Sequence, residues 1–152
     1  MDAAGAGEVG KQIEQLVFRL EEQGCLDAQF QRILQLPDES NPNFVSEVVE
    51  LFLANTEKHL TQIRAHLVKD QPDFEAVSNL LILMKGSNDT FGARALTGLC
   101  VRFQEACAKG LVADCKALLE GQERELGTLK KEMGTFLELY RKKTALLGRG
   151  PG

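Results

Sequence analysis

Few side chains in this sequence could act as a nucleophile, an acid–base group or a metal ligand. The histidines are His59 and His66, and the cysteines are Cys25, Cys100, Cys107 and Cys115. The histidines lie seven residues apart and can share a helix face, but no acidic or cysteine partner completes a metal set around them. No Cys-x-x-Cys pair occurs, and Cys100 and Cys107 fall two helical turns apart on an apolar stripe, a place suited to small, reduced core thiols. The remaining candidate is the stretch 82–93, Ile-Leu-Met-Lys-Gly-Ser-Asn-Asp-Thr-Phe-Gly-Ala. Lys85 offers a point charge there, directly before the small pair Gly86 and Ser87, inside a helical and largely apolar pattern. Gly in a helix interior costs about 1 kcal/mol relative to Ala, so Gly86 predicts that something approaches that face closely. A phosphate loop is not indicated, since no strand precedes the stretch and the Gly-Lys-Ser/Thr order is missing.

These residues must be positioned by helices. Strand signals are nearly absent, and Pro37, Pro42 and Pro72 with Gly24, Gly92 and Gly110 cut the chain into segments of period near 3.6. The first is expected over about Glu8–Gln23, with Ile13, Leu16, Val17 and Leu20 on one face. A short helix follows from Asp27 as N-cap, through Phe30, Ile33 and Leu34. Pro37–Asn43 reads as a turn cluster. A long helix spans about Phe44–Val68. The next starts near Pro72 in its first turn and runs toward Asn88, with Phe74, Val77, Leu81 and Met84 inward. A fifth spans Ala93–Lys109. The last spans Val112–Leu146 with the seam Cys115, Leu119, Gln122, Leu126, Leu129, Met133, Phe136 and Tyr140, which alternates steps of four and three residues.

The predicted architecture is all-α: an antiparallel up-down four-helix bundle with two additional shorter N-terminal helices, one domain over 1–147 and a disordered tail over 148–152. A dimeric coiled coil through the last helix is the alternative. It is disfavoured by Gln122 in the seam and by Gly121, Gly127 and Gly134, so a monomer is expected.

A chain of 152 residues is long enough to bury a sizeable core. A net charge of −4 argues against nucleic acid as a partner, because phosphate binding needs a basic surface. No run approaches the ~18 apolar residues of a membrane span, so no membrane is expected. The acidic start, Met-Asp-Ala-Ala-Gly-Ala-Gly-Glu, lacks the order of a signal peptide, which predicts an intracellular chain. Lys130, Lys131, Arg141, Lys142 and Lys143 read as a solvated basic face, with docking of a partner domain or of an anionic surface as the alternative.

Several fragments resemble plant histidine-containing phosphotransfer proteins, in order and over roughly Gly24–Tyr140. Gly24-Cys25-Leu26-Asp27-Ala28-Gln29-Phe30 is similar to the family's Gly-x-Leu-Asp-x-Gln-Phe, and Asn41-Pro42-Asn43-Phe44-Val45-Ser46-Glu47-Val48-Val49 to its Ser-Pro-x-Phe-Val-x-Glu-Val-Val. Asp73-Phe74 and Val77 precede the 82–93 stretch as in the family. Cys100, Phe103 and Cys107 match Cys-x-x-Phe-x-x-x-Cys, Cys115 matches a further cysteine, and Phe136–Arg141 closes the last helix in family style. In the family's active helix a phosphorylatable histidine lies three residues before the lysine, followed by Gln-Leu-Lys-Gly-Ser. Here Ile82 and Leu83 occupy the histidine and glutamine positions.

The resemblance implies an HPt-like six-helix fold serving the multistep phosphorelay of plant hormone signalling, chiefly cytokinin, in cytoplasm and nucleus. The implied partners are receiver domains of hybrid sensor kinases and response regulators. An Ile side chain has no lone pair to accept a phosphoryl group, and neither His59 nor His66 is followed by Lys-Gly-Ser. The expectation is a pseudo-phosphotransfer protein: no enzyme, no catalytic residue, no cofactor and no metal. It would occupy receivers and so inhibit the relay competitively. Its expected docking residues are Gln29, Phe30, Ile33, Ile82, Leu83, Lys85, Gly86 and Asp89. The alternatives are an active carrier using a displaced histidine and a helical adaptor that has lost receiver binding.

Overall fold

Six helices follow one another along the chain: α1 Asp2–Glu22, α2 Ala28–Leu34, α3 Phe44–Leu67, α4 Phe74–Phe91, α5 Arg94–Ala108 and α6 Val112–Gly148. They are taken from a computed structural model that describes residues 2–36 and 40–148. Among those residues there is no strand, and no helix is long and apolar enough to cross a membrane. Part of the Pro37–Asn43 turn and all of the tail beyond Gly148 lie outside the described residues. Gly148 itself closes α6, one residue into the segment expected to be tail.

Helices α3, α4, α5 and α6 touch in ring order, α3 on α4, α4 on α5, α5 on α6 and α6 on α3. The last pairing runs antiparallel, because ion pairs join Glu50 to Arg141, Glu57 to Lys130 and Arg64 to Glu123 as the numbers rise on one helix and fall on the other. Exposed pairs of this kind contribute little stability, about 0–1 kcal/mol each, but the sign reversal at the third fixes the register. The stabilising mass is apolar. The expected α6 seam is buried from Cys115 through Phe136, and α3 buries Val45, Val49, Phe52, Leu53, Thr56, Leu60, Ile63 and Leu67. Each such large side chain removed from water contributes roughly 1.5–3 kcal/mol.

The first helix departs from expectation. At 21 residues α1 exceeds α4 and α5, and it lies along α6 rather than standing as a short accessory. Its early turns carry little apolar pattern, but they rest on the far end of α6. A Cβ on Gly5 would sit 3.5 Å from Leu146, and one on Gly10 would sit 3.7 Å from Lys143 Nζ. Tertiary contact with α6 extends α1 beyond what its own periodicity signals.

The ends of α4 also shift from expectation. Asp73 is the N-cap, its carboxylate accepting from the Ala76 N–H at 3.0 Å, so Pro72 stands before the helix and not in its first turn. At the other end α4 continues past Asn88 to Phe91 and stops at Gly92, whose φ of +90° is the left-handed conformation that favours glycine.

Candidate functional site

The residues singled out on α4 share the face turned away from the core. Val77, Leu81, Met84, Asn88 and Phe91 point inward. A helical period then puts Ile82, Leu83, Gly86 and Asp89 outward, and Ile82 and Leu83 are 57% and 59% exposed. Lys85 is half-buried and forms no ion pair among the described residues. Asp89 accepts a hydrogen bond from the Thr97 hydroxyl at 3.3 Å, and Thr90 donates to the Gly86 carbonyl at 3.0 Å.

Gly86 opens this face outward. A Cβ there would meet nothing within 4 Å, so no neighbour inside the molecule requires the glycine. Beside it lies an apolar cleft of about 280 Å³ lined by Ile33, Val48, Leu51, Phe52, Gly86, Ser87, Thr90 and Phe91. Leu51, 62% exposed, forms an apolar wall from α3. Sequence reasoning missed this contribution, although Leu51 stood out of phase with the inward α3 residues.

Two of the expected docking residues are not available as drawn. Phe30 is fully buried, its ring 5.2 Å from that of Phe91 and 5.3 Å from that of Phe136. Ile33 is buried as well, and its edge forms part of the cleft rather than a projecting contact. The physical reason is the close seat of α2 on the end of α4. The Asp27 N–H donates to the Gly92 carbonyl at 2.9 Å, and the Asp27 carboxylate caps α2 by accepting from the Gln29 N–H at 2.9 Å. The short helix is thereby pressed onto Phe91, and its apolar residues turn in. Gln29 remains half-exposed.

Both histidines belong to α3. His59 is half-buried, two turns beyond Phe52 along the same stripe of α3. Burial and then neighbouring Lys58 push its pKa below the ordinary value. His66 Nδ1 lies 3.3 Å from Lys69 Nζ near the α3 terminus. No cluster of His, Cys, Asp or Glu among the described residues could hold a metal ion.

The cysteines are free thiols, and Cys100, Cys107 and Cys115 are buried. Cys100 joins a polar group within the core that sequence reasoning saw only at Gln122. Asn88 Nδ2 lies 3.5 Å and Gln122 Nε2 3.1 Å from Cys100 Sγ, tying α4, α5 and α6 together. Burial pushes the Cys100 thiol up, and burial with the contact to Cys115 pushes Cys107 up to about 12. Protonated thiols are poor nucleophiles, so neither acts as one. In the basic stretch of α6, Lys130 and Arg141 are engaged by Glu57 and Glu50 of α3.

The arrangement offers an exposed apolar and weakly charged face on α4 with a cleft beside it, and neither histidine lies on α4. Comparison with known proteins gives this face a setting. The family model described as Hpt domain matches residues 47–138. The chain is 35% identical over 130 residues to pseudo histidine-containing phosphotransfer protein 2 of Oryza sativa subsp. japonica, covering 84% of this chain and 86% of that protein. It is 33% identical over 129 residues to histidine-containing phosphotransfer protein 1 of Arabidopsis thaliana, covering 85% and 84%. Among solved structures, a histidine-containing phosphotransfer protein from maize superposes with a TM-score of 0.82 at 27% identity, covering 88% of this chain and 98% of that one. One from Medicago truncatula superposes with a TM-score of 0.83 at 26% identity, covering 90% and 94%.

Proposed function

The chain belongs to the Hpt domain family, among the plant histidine-containing phosphotransfer proteins of the phosphorelay, and on that premise we propose that it is a pseudo-phosphotransfer protein. It docks receiver domains of hybrid sensor kinases and response regulators, accepts no phosphoryl group, and lowers flux through the relay by occupying them. The observation that carries this reading is Ile82, exposed on α4 three residues before Lys85, at the position where the family pattern has its histidine. Phosphoryl transfer needs a lone pair held in line with the acyl phosphate, and a hydrocarbon side chain has none.

Gly86 supports docking independently. A glycine in mid-helix lowers stability, and no internal contact requires this one. Its bare backbone leaves room for a partner beside the apolar cleft. Ile82, Leu83 and Leu51 supply the apolar centre of a small interface, and Gln29, Lys85 and Asp89 a polar rim.

The test is the affinity of the purified chain for an isolated receiver domain, with a histidine-bearing phosphotransfer protein as positive control. Micromolar or tighter binding is expected, together with inhibition of phosphoryl flow when the chain is added to a reconstituted relay. If the control binds and this chain does not, the adaptor reading replaces it.

A further inference from the structure

Resting on that docking reading, we infer that the α4 face discriminates between the two charge states of a receiver, binding the unphosphorylated form and rejecting the aspartyl phosphate. Ile82 and Leu83 stand at the centre of the face with more than half of their surface open. A receiver seated there brings its phosphorylatable aspartate over hydrocarbon. Phosphorylation adds negative charge and three strongly hydrated oxygens at that point, which docking would strip of water.

The face has little with which to replace the lost water. The Thr90 hydroxyl donates to the Gly86 carbonyl, and the Thr97 hydroxyl donates to Asp89. The backbone N–H groups beside Ile82 are committed within the helix, whose N-terminus, capped by Asp73, lies two turns away at Phe74. What remains on α4 is the Ser87 hydroxyl at the cleft and the Lys85 ammonium. Against that cation stand the exposed carboxylates of Glu75 and Asp89 on the same side of α4, so this helix contributes a net negative charge, and Arg32 on α2 stands at the rim, donating to Gln29.

The balance of the two effects sets the direction. A half-exposed lysine on a flexible stem gains little from an anion near the surface, because water screens the pair. Leaving phosphoryl oxygens unpaired against Ile82 and Leu83 is the larger effect. The consequence is regulatory: this protein sequesters receivers awaiting phosphate rather than those already charged.

The experiment measures affinity for an isolated receiver domain in magnesium buffer, with and without beryllofluoride, whose adduct on the aspartate stands in for the phosphoryl group. We expect the adduct to weaken binding tenfold or more, and Ile82→Lys, which places a second cation at the centre, to erase or reverse the preference. Equal or tighter binding of the adduct by the parent chain overturns the inference while leaving docking intact. So does an unchanged preference in the Ile82→Lys variant. Absence of binding to either form, with the histidine-bearing control binding, overturns the docking reading and this inference with it.

Discussion

Gly92 and Phe30 meet backbone to backbone: a Cβ built on Gly92 would lie 2.7 Å from the Phe30 nitrogen and 2.8 Å from the Asp27 carboxylate. This contact seats α2 on the end of α4 and so brings the apolar cleft beside the exposed α4 face. A side chain at 92 would both strain a φ of +90° and push the two helices apart. Gly86, six residues earlier on the same helix, has open space around it.

The two glycines should therefore respond oppositely to the same change. Gly92→Ala is expected to destabilise by about 2–4 kcal/mol, since backbone atoms cannot move aside cheaply. Gly86→Ala should be neutral or stabilise by up to about 1 kcal/mol, as an exposed helical position with nothing to clash against. Urea unfolding followed by helical ellipticity measures both. Equal losses at the two positions would contradict the assignment of Gly92 as a close internal contact and Gly86 as an outward opening.

Much of this could be read from residue order, and the failures have identifiable causes. The α6 seam was legible because it runs through six successive steps of four and three residues, Cys115 to Phe136, without a break in phase. The α2 face was not, because seven residues make only two turns and Phe30, Ile33 and Leu34 fit an inward or an outward stripe equally well. The left-handed stop at Gly92 held the missing information, but its contact with Asp27 is tertiary. The cleft was invisible for the same reason: Leu51 from α3 and Thr90 from α4 meet only once the helices are packed. The start of α1 depends likewise on Leu146 and Lys143 at the other end of the chain.

The core thiols give a prediction about alkali. Burial raises Cys100 and Cys115 above the ordinary 9.0 and Cys107 to about 12, so they stay protonated in the folded chain where the unfolded chain would ionise. The unfolded state therefore holds fewer protons once pH exceeds about 9. Stability is full below that value and declines as pH climbs through the folded range. Urea midpoints should fall as pH rises above about 9, and Cys107→Ala should flatten the decline. A native-state thiol reagent should modify half-exposed Cys25 well before the buried three. Cys100→Ala should cost roughly 1–3 kcal/mol, because it opens space and strips Asn88 and Gln122 of their shared partner.

Incubation with a receiver bearing radiolabelled phosphate should leave this chain unlabelled. His59 is half-buried on α3 and is not followed by Lys-Gly-Ser, and His66 is at the far end of α3 beside Lys69. Acid-labile phosphate on either would revive the displaced-histidine alternative. Ile82→His supplies the missing lone pair on an exposed turn and should retain binding. Any labelling it gains should remain below that of a histidine-bearing relative, since Leu83 stands where the family pattern has glutamine.

The sharpest test of the docking face is Gly86→Gln. Glutamine is a better helix former than glycine by several tenths of a kcal/mol, and its Cβ would meet no internal atom within 4 Å. The variant should therefore fold with unchanged helicity and a urea midpoint no lower than the parent's. The longer side chain would nevertheless project between Ile82 and Thr90, across the mouth of the cleft walled by Leu51. Small interfaces of this kind lose affinity steeply when their centre cannot close, because the surrounding apolar contacts then stay wet. Binding to an isolated receiver should fall at least tenfold, while Asp89→Asn, at the rim, should change it by less than about threefold. A Gly86→Gln protein that folds normally and binds as tightly as its parent would place the receiver elsewhere on the molecule. The open glycine would then be a tolerated defect of α4 rather than its point of contact.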